Sequence, residues 1–379
     1  MLRTRRDQVI TEVRTHDLTP SDKSAVFIVG APKSGTTLLM ALFDSHPQIV
    51  SYPLQLKYYE MFSGAENIAL ASVEAYRRIF MSKSKIRYFY NERLKGENLD
   101  QSTYDLGRFD HELLAQKLNA AKIDTILQSY GDEACDRKRF FYLAHFALAE
   151  SGGRDWSKIK IILSKSGFWG LSYIDEMLRD FPDAKIIHVI RDPLRNYASK
   201  IRIGQRLWPD DETFCAVDEI RAGFEAACKY QAQPNYRLLK YEDLVNDPQK
   251  IMRGMCDWLG LDYEDSLLRP SILGDAWSGN SSQIGKLDHI SAEPAGRTTS
   301  DVGILRRWIL RRGLSSVPGI FGYDEQMKKK LNILQRLTVI GYRQIYPLRC
   351  FFRYCLRKAL KLVDFHKYFK KLNGSGDLS

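Results

Sequence analysis

Two glycines five residues apart, Gly30 and Gly35, enclose Lys33 and are followed by Thr36 and Thr37 in the stretch VFIVGAPKSGTTLL, residues 26–39. An apolar run, a glycine-bounded turn and a second apolar run spell a strand, a loop and the start of a helix. Such a loop lets backbone N–H groups approach an anion, and the helix end adds its positive pole. Lys33 supplies a further charge to the same anion. The pattern differs from the triphosphatase loop G-x-x-x-x-G-K-[ST], because Thr36 follows Gly35 and the lysine comes earlier. Two more apolar runs end in polar groups: one at Ser164-Lys165-Ser166-Gly167, the other at Arg191-Asp192-Pro193, with Ser199 eight residues after the arginine. A kinase or ATPase would want a magnesium-holding acid at a strand end, where this chain has Arg191. Cations and amides without a metal cage suit a ligand with two separated anionic groups. A plain strand-turn-helix corner has no packing reason to crowd a lysine and two threonines together.

The elements that must position these groups follow from periodicity. A strand and helix over about 25–44 lead into SHPQIVSYPLQLKYYEMFSG, where Pro47, Pro53 and Gly64 punctuate a loop or short helix. Residues 66–150 read as a mostly helical insert, on the side expected to meet an acceptor, with apolar residues at three and four spacing in FDHELLAQKLNAA and RKRFFYLAHFALAE. Strands are expected at 158–163, 184–190 and 236–241, and a helix after Pro248 that Gly260 closes. Near-continuous apolar strands alternating with helices imply an α/β fold, a parallel sheet with helices on both faces. In such a sheet ligands bind beyond the carboxyl ends of the strands, where all three polar groups fall.

With 379 residues, 44% of them hydrophobic, the chain can bury a large core. Its six cysteines form no C-x-x-C pair and its seven histidines no H-E-x-x-H, which points to reduced thiols in a cytoplasmic protein and to no structural zinc. The first 24 residues are a polar arm without the apolar core of a secretory signal, and no 18-residue apolar run free of charge occurs. The net charge of +11 is concentrated. Residues 328–371 hold 13 Lys or Arg against Asp364 alone, leaving 44 basic and 45 acidic residues elsewhere.

At this point the sequence resembles the sulfotransferases that use 3′-phosphoadenosine 5′-phosphosulfate (PAPS), on a P-loop-type fold. Their 5′-phosphosulfate loop looks like GAPKSGTTLL, and their 3′-phosphate segment is a strand ending in R-D-P with the serine at the spacing of Ser199. DSHPQIVSYP, SKS before a helix, FPDAKIIHVIRDP and LLKYEDLVNDPQKIMRGMCDWLGL follow in the family's order, so the resemblance spans residues 25–325. It implies that Lys33 and the amides of Ser34, Gly35, Thr36 and Thr37 hold the 5′-phosphosulfate, that Arg191 and Ser199 bind the 3′-phosphate, and that Lys165 faces the transferring group. Ser282 and Lys286, in GNSSQIGK, match a late loop that closes over the cofactor, and Trp308 with Arg306 and Arg307 resembles a late helix or simply packs. The implied reaction moves a sulfuryl group to a hydroxyl, less readily an amine, of a glycan or glycolipid, without a metal, leaving adenosine 3′,5′-bisphosphate.

The pattern departs at the base. Relatives carry a glutamate in a segment like Y-P-x-E-x-x-F-F, whereas YPLQLKYY places Gln55 there, and an amide takes no proton. Glu60, about a helical turn on, is the replacement expected here; His145 or His188 brought in by the fold, or an inactive member serving as a nucleotide-binding scaffold, are the alternatives. His46 before Pro47 reads as a turn residue. Beyond residue 325, basic and apolar positions interleave at helical spacing on either side of Pro347, giving amphipathic helices over 326–379. These suit an anionic membrane surface, with the protein peripheral on its cytoplasmic side, or else pack on the body. No recognition motif or second basic groove supports a nucleic-acid partner.

Overall fold

The computed structural model describes residues 23–53, 55–63, 72–84, 117–207, 213–277, 290, 299, 302–314 and 317–323. Ser282, Lys286 and the basic segment 328–371 lie outside the described residues.

Five strands form one parallel sheet: β1 (Ser24–Val29), β2 (Ile49–Ser51), β3 (Ile161–Gly167), β4 (Lys185–Ile190) and β5 (Tyr236–Lys240), in the order β2-β3-β1-β4-β5. β1 is central, and every residue after Ser24 is buried, as a strand covered on both faces requires. Alternation along the strands separates the two faces. Phe27 meets Tyr59, Phe141 and Phe181 on one side. Lys165, registered beside Ile28, reaches the helix Thr36–Phe43 on the other.

The strand β2 was not legible in the sequence, which reads its region as a loop or short helix. Three residues between two prolines are too few to show a period; β2 exists because Ile49, Val50 and Ser51 pair with Ile161, Ile162 and Leu163. The short helix is also present, at Tyr58–Phe62. β3 differs in its limits: it starts at Ile161, after a 3₁₀ turn at Trp156–Lys158, and runs through Lys165 to Gly167.

Helix Arg137–Ser151, expected from its periodicity, is capped by Asp136, whose carboxylate accepts from Arg139 N at 2.6 Å, and its residues from Phe140 to Ala149 are all buried. Helix Pro248–Leu259 begins at its proline, takes a cap from Asp247 and ends where Gly260 adopts φ +75°. A second apolar cluster, Leu194, Tyr197, Ile220, Phe224, Leu310 and Phe321 among its members, joins helices Pro193–Leu207, Thr213–Tyr230 and Ile304–Leu314 beside Ile190, the last residue of β4. The chain leaves β1 toward one edge through β2 and later adds β4 and β5 on the other side, so the switch in direction lies between β1 and β4.

Candidate active site

The loop after β1 takes the backbone shape its residues predict. Gly30 has φ +152° and Gly35 φ +107°. A Cβ on Gly30 would stand 2.5 Å from Val189 O, and one on Gly35 2.4 Å from the Tyr241 ring. Lys33 itself is left-handed at φ +67°, a strain typical of functional loops. Helix Thr36–Phe43 opens at Gly35 with no side-chain cap, so its first amides are free of competition from their own N-cap. Ser34 is fully buried, and its Oγ has no hydrogen-bond partner. Buried hydroxyls are normally satisfied, and one orphaned just before the N-terminus of a helix fits a bound anion.

Lys165 crosses to this loop from β3, its Nζ donating to Thr37 Oγ1 at 2.9 Å with the side chain buried. From β4 comes Arg191, whose Nη1 donates to Lys33 O at 3.1 Å and whose guanidinium lies 4.2 Å from the centroid of Tyr241. Burial pulls the Arg191 pKa down, opposed by Tyr241, Glu242 and Asp192. The three strand ends therefore converge on one site, as their positions in sequence imply.

Two residues of the YED element hold this geometry, a role the sequence did not reveal. Tyr241 lies against both Gly35 and Arg191. Glu242 accepts from Asp192 N at 3.0 Å through Oε1 and from Tyr323 Oη at 2.8 Å through Oε2. Asp192 in turn caps helix Pro193–Leu207 by accepting from Arg195 N at 2.8 Å. Ser199 sits half-buried on that helix, one turn beyond Asn196, whose side-chain oxygen is buried without a partner. Asn196 was likewise not singled out by sequence; its position on the Arg191–Ser199 turn was the available signal.

The HP segment serves the frame. His46 Nε2 meets Asp262 O at 2.9 Å and its Nδ1 accepts from Gln48 N. Asp44 accepts from Ser271 Oγ and Gly274 N, both at 2.9 Å, pinning the hairpin of Ser271–Ile272 and Asp275–Ala276; burial pushes its pKa up.

Glu60 lies on helix Tyr58–Phe62, 3.3 Å from Lys57 Nζ, and the structure does not bond it to the loop. The histidines belong to the core instead. His145 bonds Phe141 O at 2.8 Å, and burial holds its pKa down at about 4. His188 pairs with Tyr236 Oη across β4 and β5, and burial holds it at about 3. Neither of these bonds reaches the loop after β1. Trp308 packs against the second cluster, and Arg307 donates to Val302 O at 2.9 Å. Arg306, also in that helix, is half-buried.

Residues 25–265 match the model of the sulfotransferase family. The chain belongs to the sulfotransferase family. Two similar proteins, the omega-hydroxy-beta-dihydromenaquinone-9 sulfotransferases of Mycobacterium bovis and Mycobacterium tuberculosis, are each 29% identical over 109 residues, a stretch covering 25% of this sulfotransferase and 28% of theirs. Among solved structures, the sulfotransferase domain of the Synechococcus olefin synthase matches with TM-score 0.45 and 23% identity, over 80% of this chain and 98% of that domain. A Mycobacterium avium sulfotransferase matches with TM-score 0.39 and 17% identity, over 82% of each chain.

Proposed function

We propose that this sulfotransferase takes its sulfuryl group from PAPS and delivers it to a hydroxyl of a glycan or glycolipid. The observation that carries the donor reading is the bond from Arg191 Nη1 to the backbone carbonyl of Lys33, which brings the guanidinium to the loop that also holds the orphaned hydroxyl of Ser34. One anionic end of the donor fits Lys33 and the amides of Gly35 to Thr37, the expected Ser34 amide being engaged instead by Ala31 O at 3.1 Å; the other fits Arg191 and Ser199. Lys165, held at Thr37, stabilises in this reading the charge that develops as the sulfur–oxygen bond breaks. Glu60 takes the acceptor proton in this reading. The relatives' names describe a hydroxylated menaquinone acceptor, which favours a lipid-borne hydroxyl here.

A second reading, a silent nucleotide-binding member, draws on Gln55 in place of the expected acid. Turnover separates the two. For the donor, adenosine 3′,5′-bisphosphate without metal should raise the melting temperature, and ATP with magnesium should not, because ligand bound only to the folded state adds to its stability. Arg191→Ala should weaken adenosine 3′,5′-bisphosphate by roughly 2 kcal/mol, through loss of a charge-assisted contact, and barely change adenosine 5′-phosphate. Equal losses in calorimetry would assign Arg191 to the frame and remove it from the 3′-phosphate site.

A further inference from the structure

A second cluster stands at the carboxyl end of β3, outside the donor loop. After β2 the chain stays beside β3: Tyr52 N donates to Leu163 O at 3.2 Å and Leu56 N to Lys165 O at 3.1 Å. Four steps along this segment thus match two along β3, and the surplus sets Gln55 over Ser166 and Gly167. Gln55 Nε2 donates to Ser166 O at 3.0 Å. A carbonyl partner fixes which end of the amide is which, so Oε1 is the end left to accept. Gly167 makes room for it: its φ is +59°, and a Cβ there would lie 2.7 Å from Gln55 Nε2.

Two residues on, Trp169 is 45% exposed, a large aromatic side chain left open at the edge where ligands bind. Lys57 Nζ lies 4.3 Å from the Trp169 ring centroid, and Glu60 is 3.3 Å from the same ammonium. The rim is therefore aromatic on one side, offers an amide oxygen and an ammonium paired with Glu60, whose paired oxygen is buried, and carries no net charge. It borders Lys165, whose Nζ faces the donor loop.

We infer that Gln55, Lys57, Glu60 and Trp169 form the acceptor subsite, and that it takes a neutral hydroxylated ring of the glycoside class. The inference rests on the transfer reading above and narrows its acceptor. A sugar ring has an apolar C–H face to lay on the open part of the indole and hydroxyls on its edge to donate to Gln55 Oε1 and to exchange bonds with the Lys57–Glu60 pair. A plain alkanol offers one hydroxyl and no face, leaving the ion pair without its second partner. An anionic ring sets its charge beside Glu60, whose lysine is already neutralised. Gln55 acts by positioning: its oxygen accepts a hydrogen bond from the acceptor and takes no proton.

The test uses the full chain with saturating adenosine 3′,5′-bisphosphate, and three probes below their aggregation limits: octyl β-glucoside, octyl β-glucuronide and 1-octanol. Calorimetry should show the glucoside binding at least tenfold more tightly than either of the others. Trp169→Ala should erase that preference while nucleotide affinity stays within twofold, and Trp169→Phe should keep part of it. Gln55→Ala should raise the KM for a glucoside acceptor about tenfold with a smaller change in kcat, a split that loss of packing alone would not give. The inference is overturned if octanol or the glucuronide binds as tightly as the glucoside, or if Trp169→Ala binds all three like the parent. Loss of nucleotide binding in the parent would count against the transfer reading instead, and the same glucoside comparison without nucleotide would still decide the subsite.

Discussion

Gly35 closes the loop after β1 against Tyr241, the ring on which Arg191 also lies, and Gly35→Ala tests that junction. At φ +107° an alanine is held in a backbone region that L-residues rarely adopt, at a cost of about 1–3 kcal/mol. Its Cβ would also stand 2.4 Å from Tyr241 Cδ2, more than an ångström inside the roughly 3.5–4.0 Å of ordinary carbon contact. Relieving the overlap moves the Tyr241 ring or the loop, which overpacking data place at about 1–3 kcal/mol. Together the substitution should cost about 2–6 kcal/mol, and at no more than about 2–4 °C per kcal/mol the melting temperature should fall by roughly 4–24 °C at most. Because Arg191 lies 4.2 Å from the same ring, affinity for adenosine 3′,5′-bisphosphate should fall at least tenfold in protein that remains folded. A double-mutant cycle with Tyr241→Ala isolates the overlap: removing the ring should return the packing part and leave the backbone strain, giving a coupling of about 1–3 kcal/mol. Additive effects, within about 0.5 kcal/mol, would refute the claim that Tyr241 is what excludes a side chain at position 35.

Lys33→Ala and Glu60→Gln should each lower sulfuryl transfer on the order of a hundredfold, the first by removing charge stabilisation and the second the base; parent-like turnover in Glu60→Gln would strike it from the mechanism. Burial holds His145 at about 4, below its usual value near 6.5, so the unfolded chain binds the extra proton first. The His145 contribution is therefore complete above about pH 6.5 and is lost as pH falls toward about 4; His145→Gln should flatten denaturation midpoints across that window, and an unchanged slope would show that the imidazole does not titrate there. For the basic segment 328–371, the full chain should pellet with anionic liposomes and be partly released by salt, while a chain ending at Gln326 stays in solution, with each basic residue near the surface contributing about 1 kcal/mol. A shortened chain that melts lower, together with a full chain that ignores liposomes, would assign the segment to packing on the body.

Local order dictated much of this protein. Apolar runs at 24–29, 161–163 and 185–190, each closed by glycine or by polar residues, are enough to specify buried parallel strands and to send Lys33, Lys165 and Arg191 to one edge. The glycines at 30 and 35 announce the tight loop after β1 because φ above zero is nearly theirs alone. Tertiary structure decided what no period encodes. β2 is a strand only by virtue of its partner β3, and the contact of Tyr241 with both Gly35 and Arg191 joins positions more than 200 residues apart in the first case and 50 in the second. His145 and His188 have side chains suited to a base, but their surroundings keep them neutral in the core, since removing an imidazolium from water costs more than one hydrogen bond returns. Gln55 shows the same division. Its amide is plain in the sequence as a missing acid; that its nitrogen is committed to Ser166, with Gly167 yielding the space, follows from the extra residues that the chain carries as it passes the end of β3.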